Sequence, residues 1–441
     1  MLLCTARLAP LAIAAVPVEQ TFDAPASVDQ DDMCLWVHPA DPASSALIAS
    51  DKASGDVYVY DLAGTPLQTV PAVMPGNIDV RYGVELDGEC VDLVAFNERD
   101  EQRIRVYQVN PVTRQLTRLD DGAIVTGPNY GFALERRADG SLFGYTGPQG
   151  ASATVRQYLL HDNGAGAITG TPTAWQSQQG TVEGMVADDE AGTVYLAEEQ
   201  VGIWRLSTSD ASDKVLVAQV GDASGLAAEV EGLALYRSAG STGLLIASSQ
   251  GAGKFTVLQR EPPHTPVGEF TVEGVGLTDG IEVLNIPLGD PFEQGIFAFH
   301  NGLACCPVQA AAWADVASEL GVAIDTGSWQ PRRGCGAVLT VGRDSLSWTP
   351  WAPAQSYDVV RGDLSTLRGT SGDFTQATTE CLADDRVPTS LAYDAEPLPG
   401  HGEWYLVRGV AAFGPLSYDS FGPAQNGSRD AEIDAAALSC R

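Results

Sequence analysis

Through the first three quarters of the chain, apolar residues alternate with polar ones in short runs bounded by Gly, Asp and Ser, the pattern of half-buried strands. One kind of strand ending recurs: "VYVYDLAG" around Tyr58, "IRVYQVNP" around Val106, "VRQYLLHD" around Gln157, "GIWRLSTS" around Trp204, "FTVLQREP" around Val257 and "GIFAFHNG" around Phe297. The endings lie about 40 to 50 residues apart, a period that belongs to repeat architectures. Earlier β-rich runs precede them, as "GTVYLAEE" precedes "GIWRLSTS" and "GLLIASSQ" precedes "KFTVLQRE". Six units of about four strands each predict an all-β fold, a six-bladed β-propeller, because one blade cannot bury both of its faces and radial stacking does so. Two packed sandwiches are the alternative, but they would not require similar endings at a near-constant period.

Near "CPVQAAAWADVASELGV" the period changes, with Ala312, Val316 and Leu320 at helical spacing, which predicts a closing helix. A polar, Gly-rich stretch, "DTGSWQPRRGCG", reads as a linker. Beyond it, "VLTVGRDSLSWTPWAPAQSYDVVRGDLSTLR" and "EWYLVRGVAAFGPLSYDS" alternate again, over a length that suits one small β-sandwich. This last part resembles a fibronectin type III-like module, with Trp348 in place of the early core Trp. The expected organisation is a leader over residues 1–18, the propeller over 19–325, a linker over 326–336 and the sandwich over 337–441.

Composition narrows the partners. The chain has 441 residues and a formal net charge of −32, from 57 Asp and Glu against 25 Lys and Arg, which excludes nucleic acid and anionic membranes as natural partners. Excess carboxylate serves solubility or binds hard cations through oxygen. The opening "MLLCTARLAPLAIAAVPV" resembles the end of a signal peptide, and no later stretch is apolar for long enough to span a bilayer, so a secreted monomer is expected. Among eight cysteines, Cys34 with Cys90 and Cys381 with Cys440 are the expected bridges, while the adjacent Cys305 and Cys306 bridge each other only with strain.

Familiar hydrolase signatures are missing: no Cys is followed six residues later by Arg, and neither a Gly-x-Ser-x-Gly elbow nor a Gly-Lys-Ser/Thr phosphate loop occurs. His38, on a β-run beside a Pro, reads as structural. What recurs is carboxylate: Asp31 and Asp32 in "QDDMCLWVHP", Glu183 in "TVEGM", Glu198 and Glu199 in "YLAEEQ", Glu229 and Glu231 in "AEVEGL", and Asp279 with Glu282 in "LTDGIE". In a propeller, acids at equivalent places of different blades converge on the central channel. Gathered there they repel by several kcal/mol unless protonated or neutralised, and calcium ions, each wanting six to eight oxygens, would neutralise them.

The segments "DDMCLWVHPADPASSALIASDKASGDVYVYDLAG", "GNIDVRYGVELDGECVDLVAFNER", "NYGFAL", "VEGMVADDEAGTVYLAEEQVGIWRL", "EVEGLALY", "GLLIASSQG" and "TDGIEVLN" resemble, in order and near spacing, the β-propeller phytases. The resemblance covers about residues 19 to 323. It implies a site with several calcium ions that hydrolyses phosphate monoesters of phytate through a metal-activated water. It further implies Asp31 and Asp32 as the family's acidic pair, with Glu19 upstream as a further calcium ligand. Glu183 and Glu231 correspond to bridging ligands, Glu199 and Gln250 to their neighbours, and Glu229, Glu273 and Asp279 complete the metal set. Lys52, Arg99 and Tyr130 match groups that hold substrate phosphate or its metals. The chain departs from the pattern at Pro148, where a Lys is usual, at Glu229 and Glu273, where Asp is usual, and at Gly276 and Leu277, in place of a Ser-Asp pair. A propeller that binds calcium and anions without turnover is therefore the competing reading.

Overall fold

The structure is a computed structural model that describes residues 15–87, 89–150, 153–239, 242–331, 339–350, 354–394, 397, 400–412, 414–419 and 429–441. Most of the expected leader lies outside these residues. Val16 is already part of the fold, buried and bonded through its backbone to Thr271 and Glu273.

Six four-stranded antiparallel sheets follow one another. Sheet one is Gln30–Trp36, Ala46–Asp51, Asp56–Asp61 and Pro66–Pro71, and sheet two is Pro75–Leu86, Glu89–Glu98, Arg103–Val109 and Leu116–Arg118. Sheet three is Phe132–Arg136, Leu142–Thr146, Ala153–Asp162 and Ile168–Gln179, and sheet four is Val182–Asp188, Thr193–Glu198, Gly202–Ser207 and Lys214–Gln219. Sheet five is Val230–Arg237, Gly243–Ser249, Lys254–Gln259 and Pro266–Phe270. Sheet six is Ile281–Leu284, Ile296–His300 and Val308–Ala312, and its outer strand is Gln20–Phe22 from the start of the chain. These repeated sheets are consistent with a propeller.

Sheet six departs from the expected repeat in one respect. The recurring endings fall on third strands in the first five sheets, but "GIFAFHNG" supplies the second strand of sheet six. Gln20–Phe22 provides the fourth strand there, register-paired with Val308–Ala310, so the chain supplies only three strands after Asp279, and the strand in third place is Val308–Ala312. Accordingly "CPVQAAA" contains a strand, and the helix is confined to Trp313–Leu320, closed by Gly321 in the left-handed conformation (φ 66). Trp313 stacks on Tyr236 of sheet five with ring centroids 4.5 Å apart, which anchors the helix to the sheets.

First strands of successive sheets touch one another, and the first strand of sheet six touches that of sheet one. One apolar residue from each, Met33, Ile78, Phe132, Met185, Leu233 and Ile281, lines a narrow cavity between them. First strands are buried along almost their whole length, whereas fourth strands such as Lys214–Gln219 are largely exposed. In sheets one, two, four and five the ladder slips between Gln30 and Met33, Pro75 and Ile78, Val182 and Met185, and Val230 and Leu233. Such bulges turn side chains out of the pleat, and here they release Asp31, Asp32, Asn77, Glu183 and Glu231 from the alternation. The same places demand glycine: a Cβ on Gly184 would stand 1.8 Å from the Glu231 carbonyl oxygen, so the neighbouring strand approaches only because none is there.

The C-terminal part holds a three-stranded sheet, Leu339–Val341, Ser345–Trp348 and Ser390–Ala392, and a four-stranded one, Ser356–Asp363, Thr378–Arg386, Glu403–Ala411 and Gly414–Pro415. Leu346 and Trp348 of the first pack with Tyr357, Val359 and Val407 of the second. Val360 and Cys440 lie with Tyr418 and Ile433 in a separate cluster near the short helix Asp430–Ala435, an element the alternating pattern did not predict.

Cys381 and Cys440 are bridged as expected. Cys34 is not bridged to Cys90. It is a free thiol buried in the apolar core of sheet one, whereas Cys90 is disulfide-bonded. Cys305 and Cys306 are free thiols.

Candidate functional site

In an antiparallel hairpin the start of one strand lies beside the end of the next, so the starts of first strands and the residues after second strands open on the same end of the sheets. Asp31, Asp32, Asn77, Tyr130, Glu183, Glu231 and Asp279 occupy or precede the starts, while Lys52, Arg99, Pro148, Glu199, Gln250 and His300 end or follow the second strands. Residues more than two hundred apart in sequence thereby meet.

Lys52 Nζ lies 2.7 Å from Asp31 Oδ1 and 2.9 Å from Asp279 Oδ2. Arg99 Nη2 lies 2.8 Å from Asp31 Oδ2 and 2.6 Å from Glu183 Oε1, and its guanidinium covers the Tyr130 ring at 4.3 Å. The two cations thus tie sheets one, two, four and six through Asp31. Gln250 Nε2 donates to Asp279, and Asp32 accepts from Asn77 Nδ2 and the Ile78 N–H, both at 3.1 Å. Glu183, Glu199 and Glu231 bring one carboxylate oxygen each within 4.8 Å of the others.

The electrostatics follow from this crowding. Burial alone would raise the Asp31 carboxyl, yet Arg99 and Lys52 carry it below the ordinary range. Asp32 points the other way and is pushed well up, by burial first and by the charge of Asp31. Burial and the charge of Glu183 drive Glu231 far up, and the two carboxyls are close enough to share a proton. Glu199 is raised by burial and by Glu183 and Glu229. Buried Oε2 of Glu231 has no hydrogen-bond partner. The cluster holds more negative charge than its two cations neutralise.

Not every expected residue joins the cluster. Glu229 is exposed at its rim and reaches it through its carbonyl, which accepts from Gln250 N–H at 2.9 Å, and through its charge on Glu199. Glu19 and Glu273 are exposed, and no side-chain contact links either to the cluster; their backbones bond to Ala310 and Val16. Three neighbours were not foreseen, the first being Asn77 on Asp32. His300 Nδ1 lies 3.5 Å from Asp279 Oδ2, and Asp29 Oδ2 lies 3.7 Å from Lys52 Nζ. His38 is structural, with Nδ1 accepting from Ala40 and Asp41 and Nε2 beside the Pro111 carbonyl.

A family model described as Phytase matches residues 8–315. A 3-phytase of Bacillus subtilis (strain 168) is 33% identical over 311 residues, covering 66% of this chain and 81% of that protein. The chain belongs to the phytase family. It is accordingly a phosphoric monoester hydrolase, and the match to the phytase family ends within the helix Trp313–Leu320, leaving the C-terminal sheets outside it. Among solved structures, a luciferin-regenerating enzyme is 11% identical over 65% of this chain and 92% of its own, with a TM-score of 0.42, and a streptogramin B lyase is 10% identical over 66% and 96%, with a TM-score of 0.37. At those values neither likeness carries an argument. No helix among the described residues is long and apolar enough to cross a membrane.

Proposed function

We propose that the chain is a calcium-dependent phytase whose six sheets close a β-propeller and whose C-terminal part is a fibronectin type III-like sandwich used for spacing or attachment. The observation that carries the reading is the excess of converging carboxylates, Asp31, Asp32, Glu183, Glu199, Glu231 and Asp279, in a member of the phytase family.

The donor set suits calcium. It is all oxygen, it comes from several sheets, and it includes an orphaned buried oxygen on Glu231 and a proton held between Glu183 and Glu231 that a cation would replace. Asp31, Asp32, Glu183, Glu199, Glu231 and Asp279 would hold the ions, with Gln250 and Glu229 at the margin; Glu19 and Glu273, exposed and away from the cluster, are not part of this set. Bound calcium supplies charge neutralisation and Lewis acidity for an entering phosphate. Lys52 and Arg99 offer cationic donors to phosphate oxygens, and Arg99 is the better placed to do so in a fixed plane because Tyr130 and Glu183 hold its guanidinium. A polyanion such as phytate approaches a strongly acidic protein only once cations bridge the two.

Phosphate release from phytate by the purified chain, followed across a calcium titration, tests the reading. Turnover should rise with added calcium and stop in excess chelator, with a parallel fall in thermal stability. Undiminished turnover in chelator overturns calcium dependence. Pro148 and Leu277 favour the competing, non-catalytic reading, and calcium-loaded protein that binds phytate without releasing phosphate would establish it. The proposed domain division, 19–325, 326–336 and 337–441, predicts that a chain ending near Gly334 stays folded and keeps turnover.

A further inference from the structure

Next to Lys52 and Asp279, three side chains of a different chemistry meet. Asp29, His300 and Cys306 each offer a donor atom, and the three lie within 4.8 Å of one another. Asp29 precedes the first strand of sheet one, His300 ends the second strand of sheet six, and Cys306 sits in the turn that leads to Val308–Ala312. That turn is held by backbone bonds, Cys306 N–H to the Asn301 carbonyl at 3.2 Å and Gln30 N–H to the Cys306 carbonyl at 3.1 Å. The backbone that carries the thiol is therefore held in place.

His300 is only 2% exposed, and its Nε2 has no hydrogen-bond partner. The Asp29 Oδ1 atom lies 4.0 Å from it, too far for a hydrogen bond and a suitable span for two ligands of one ion. Burying a polar nitrogen without a partner costs free energy that a bound cation would recover. The other ring nitrogen, Nδ1, faces Asp279, 3.2 Å from its N–H and 3.5 Å from its carboxylate.

We propose that Asp29, His300 and Cys306 form a site for a zinc-class divalent ion, separate from the all-oxygen cluster beside it. Thiolate and imidazole select such ions over calcium, and three protein ligands leave a fourth position for water. Binding at Nε2 requires the imidazole proton on Nδ1, so His300 gives up the hydrogen bond it accepts there from the Asp279 N–H and turns that proton to the Asp279 carboxylate 3.5 Å away, while the Cys306 S–H bond ionises with its proton passing to solvent. Asp29 also stands 3.7 Å from Lys52 Nζ, so occupancy couples this site to the charge balance of the neighbouring cluster.

Cobalt reports the site without reference to activity. The full chain, reduced, stripped with chelator and then saturated with calcium, should take up one equivalent of Co²⁺ with a thiolate-to-metal charge-transfer absorption that excess calcium leaves in place and zinc removes. Cys306→Ser should abolish the absorption, and Cys305→Ser, at an exposed thiol, should retain it. Asp29→Asn should weaken cobalt binding by about tenfold or more. Wild-type protein without the absorption, or an absorption that survives Cys306→Ser, overturns the proposal. A check that needs no variant is the melting temperature of calcium-saturated wild type, which zinc must raise; an unchanged value also overturns it.

Discussion

The first strands of the six sheets have two ends, and charge is handled in opposite ways at each. At their starts, acids outnumber cations, and buried carboxyls such as Glu231 and Asp32 are pushed up because they lack counter-charges. At their ends, Arg81 is clamped between Asp79 at 2.7 Å and Asp189 at 2.9 Å, Arg137 meets Glu135, and Arg260 holds Asp188 at 2.5 Å and Glu190 at 2.8 Å. The six apolar residues that line the cavity between the first strands lie between the two ends. At the second end most acids are met by arginines of the fold, although burial still raises Asp189 and Glu282; the first is short of positive charge and requires something from outside. An unbalanced buried cluster is a functional-site signature, whereas a balanced one is structural.

Breaking each end should therefore give different phenotypes. The largest effect is expected from Glu183→Gln, which should lower phosphate release from phytate by about 100-fold or more, since even outer neighbours of a metal cost 10–100-fold. Its metal-free melting temperature should hold or rise, because a repelled carboxylate is gone; unaltered turnover would show that Glu183 lies outside the machinery. At the balanced end, Arg260→Ala strips the buried Asp188 of its partner and should cost about 3–5 kcal/mol in urea unfolding, with turnover per folded molecule preserved.

A smaller, pH-dependent effect belongs to Glu282, which faces the balanced end and is raised to about 7, by burial first and then by Asp79. Unfolded, a Glu ionises near 4.3, so between there and about 7 the folded chain keeps a proton that the unfolded chain has lost. The stability from that proton is complete at low pH and vanishes as pH rises through 7. Glu282→Gln should accordingly gain on wild type by about 2 kcal/mol on going from pH 5 to pH 8 in urea unfolding. An equal difference at both values would remove Glu282 from the argument.

Strand order was readable because a half-buried strand writes its period into residues next to one another. The outer strand of sheet six was not, since it is Gln20–Phe22 returning to pair almost three hundred residues away. The same distinction holds within the site. Asp31, Glu183, Glu231 and Asp279 stand at repeat-equivalent places, whereas Lys52, Arg99 and Tyr130 entered only through likeness to a family. Their closeness to the acids follows from hairpin geometry, which places the end of one strand beside the start of another. Asp29, His300 and Cys306 share no spacing at all and meet only in three dimensions. Cys34 and Cys90 show the opposite failure, a plausible pair in the sequence whose first member is enclosed in a hydrophobic core.

The return of Gln20–Phe22 to the edge of sheet six also orders the life of the chain in time. During synthesis from the N-terminus, Gln20–Phe22 emerges early and pairs with Val308–Ala312, the last strand of sheet six to be made, so sheets one to five leave the ribosome before that pairing can form. Throughout that interval two strand edges stay open, and unpaired edges are where nascent chains associate wrongly. The late pairing makes completion of the six sheets a non-local, slow event, and makes a three-residue strand near the beginning decisive for the sixth of them.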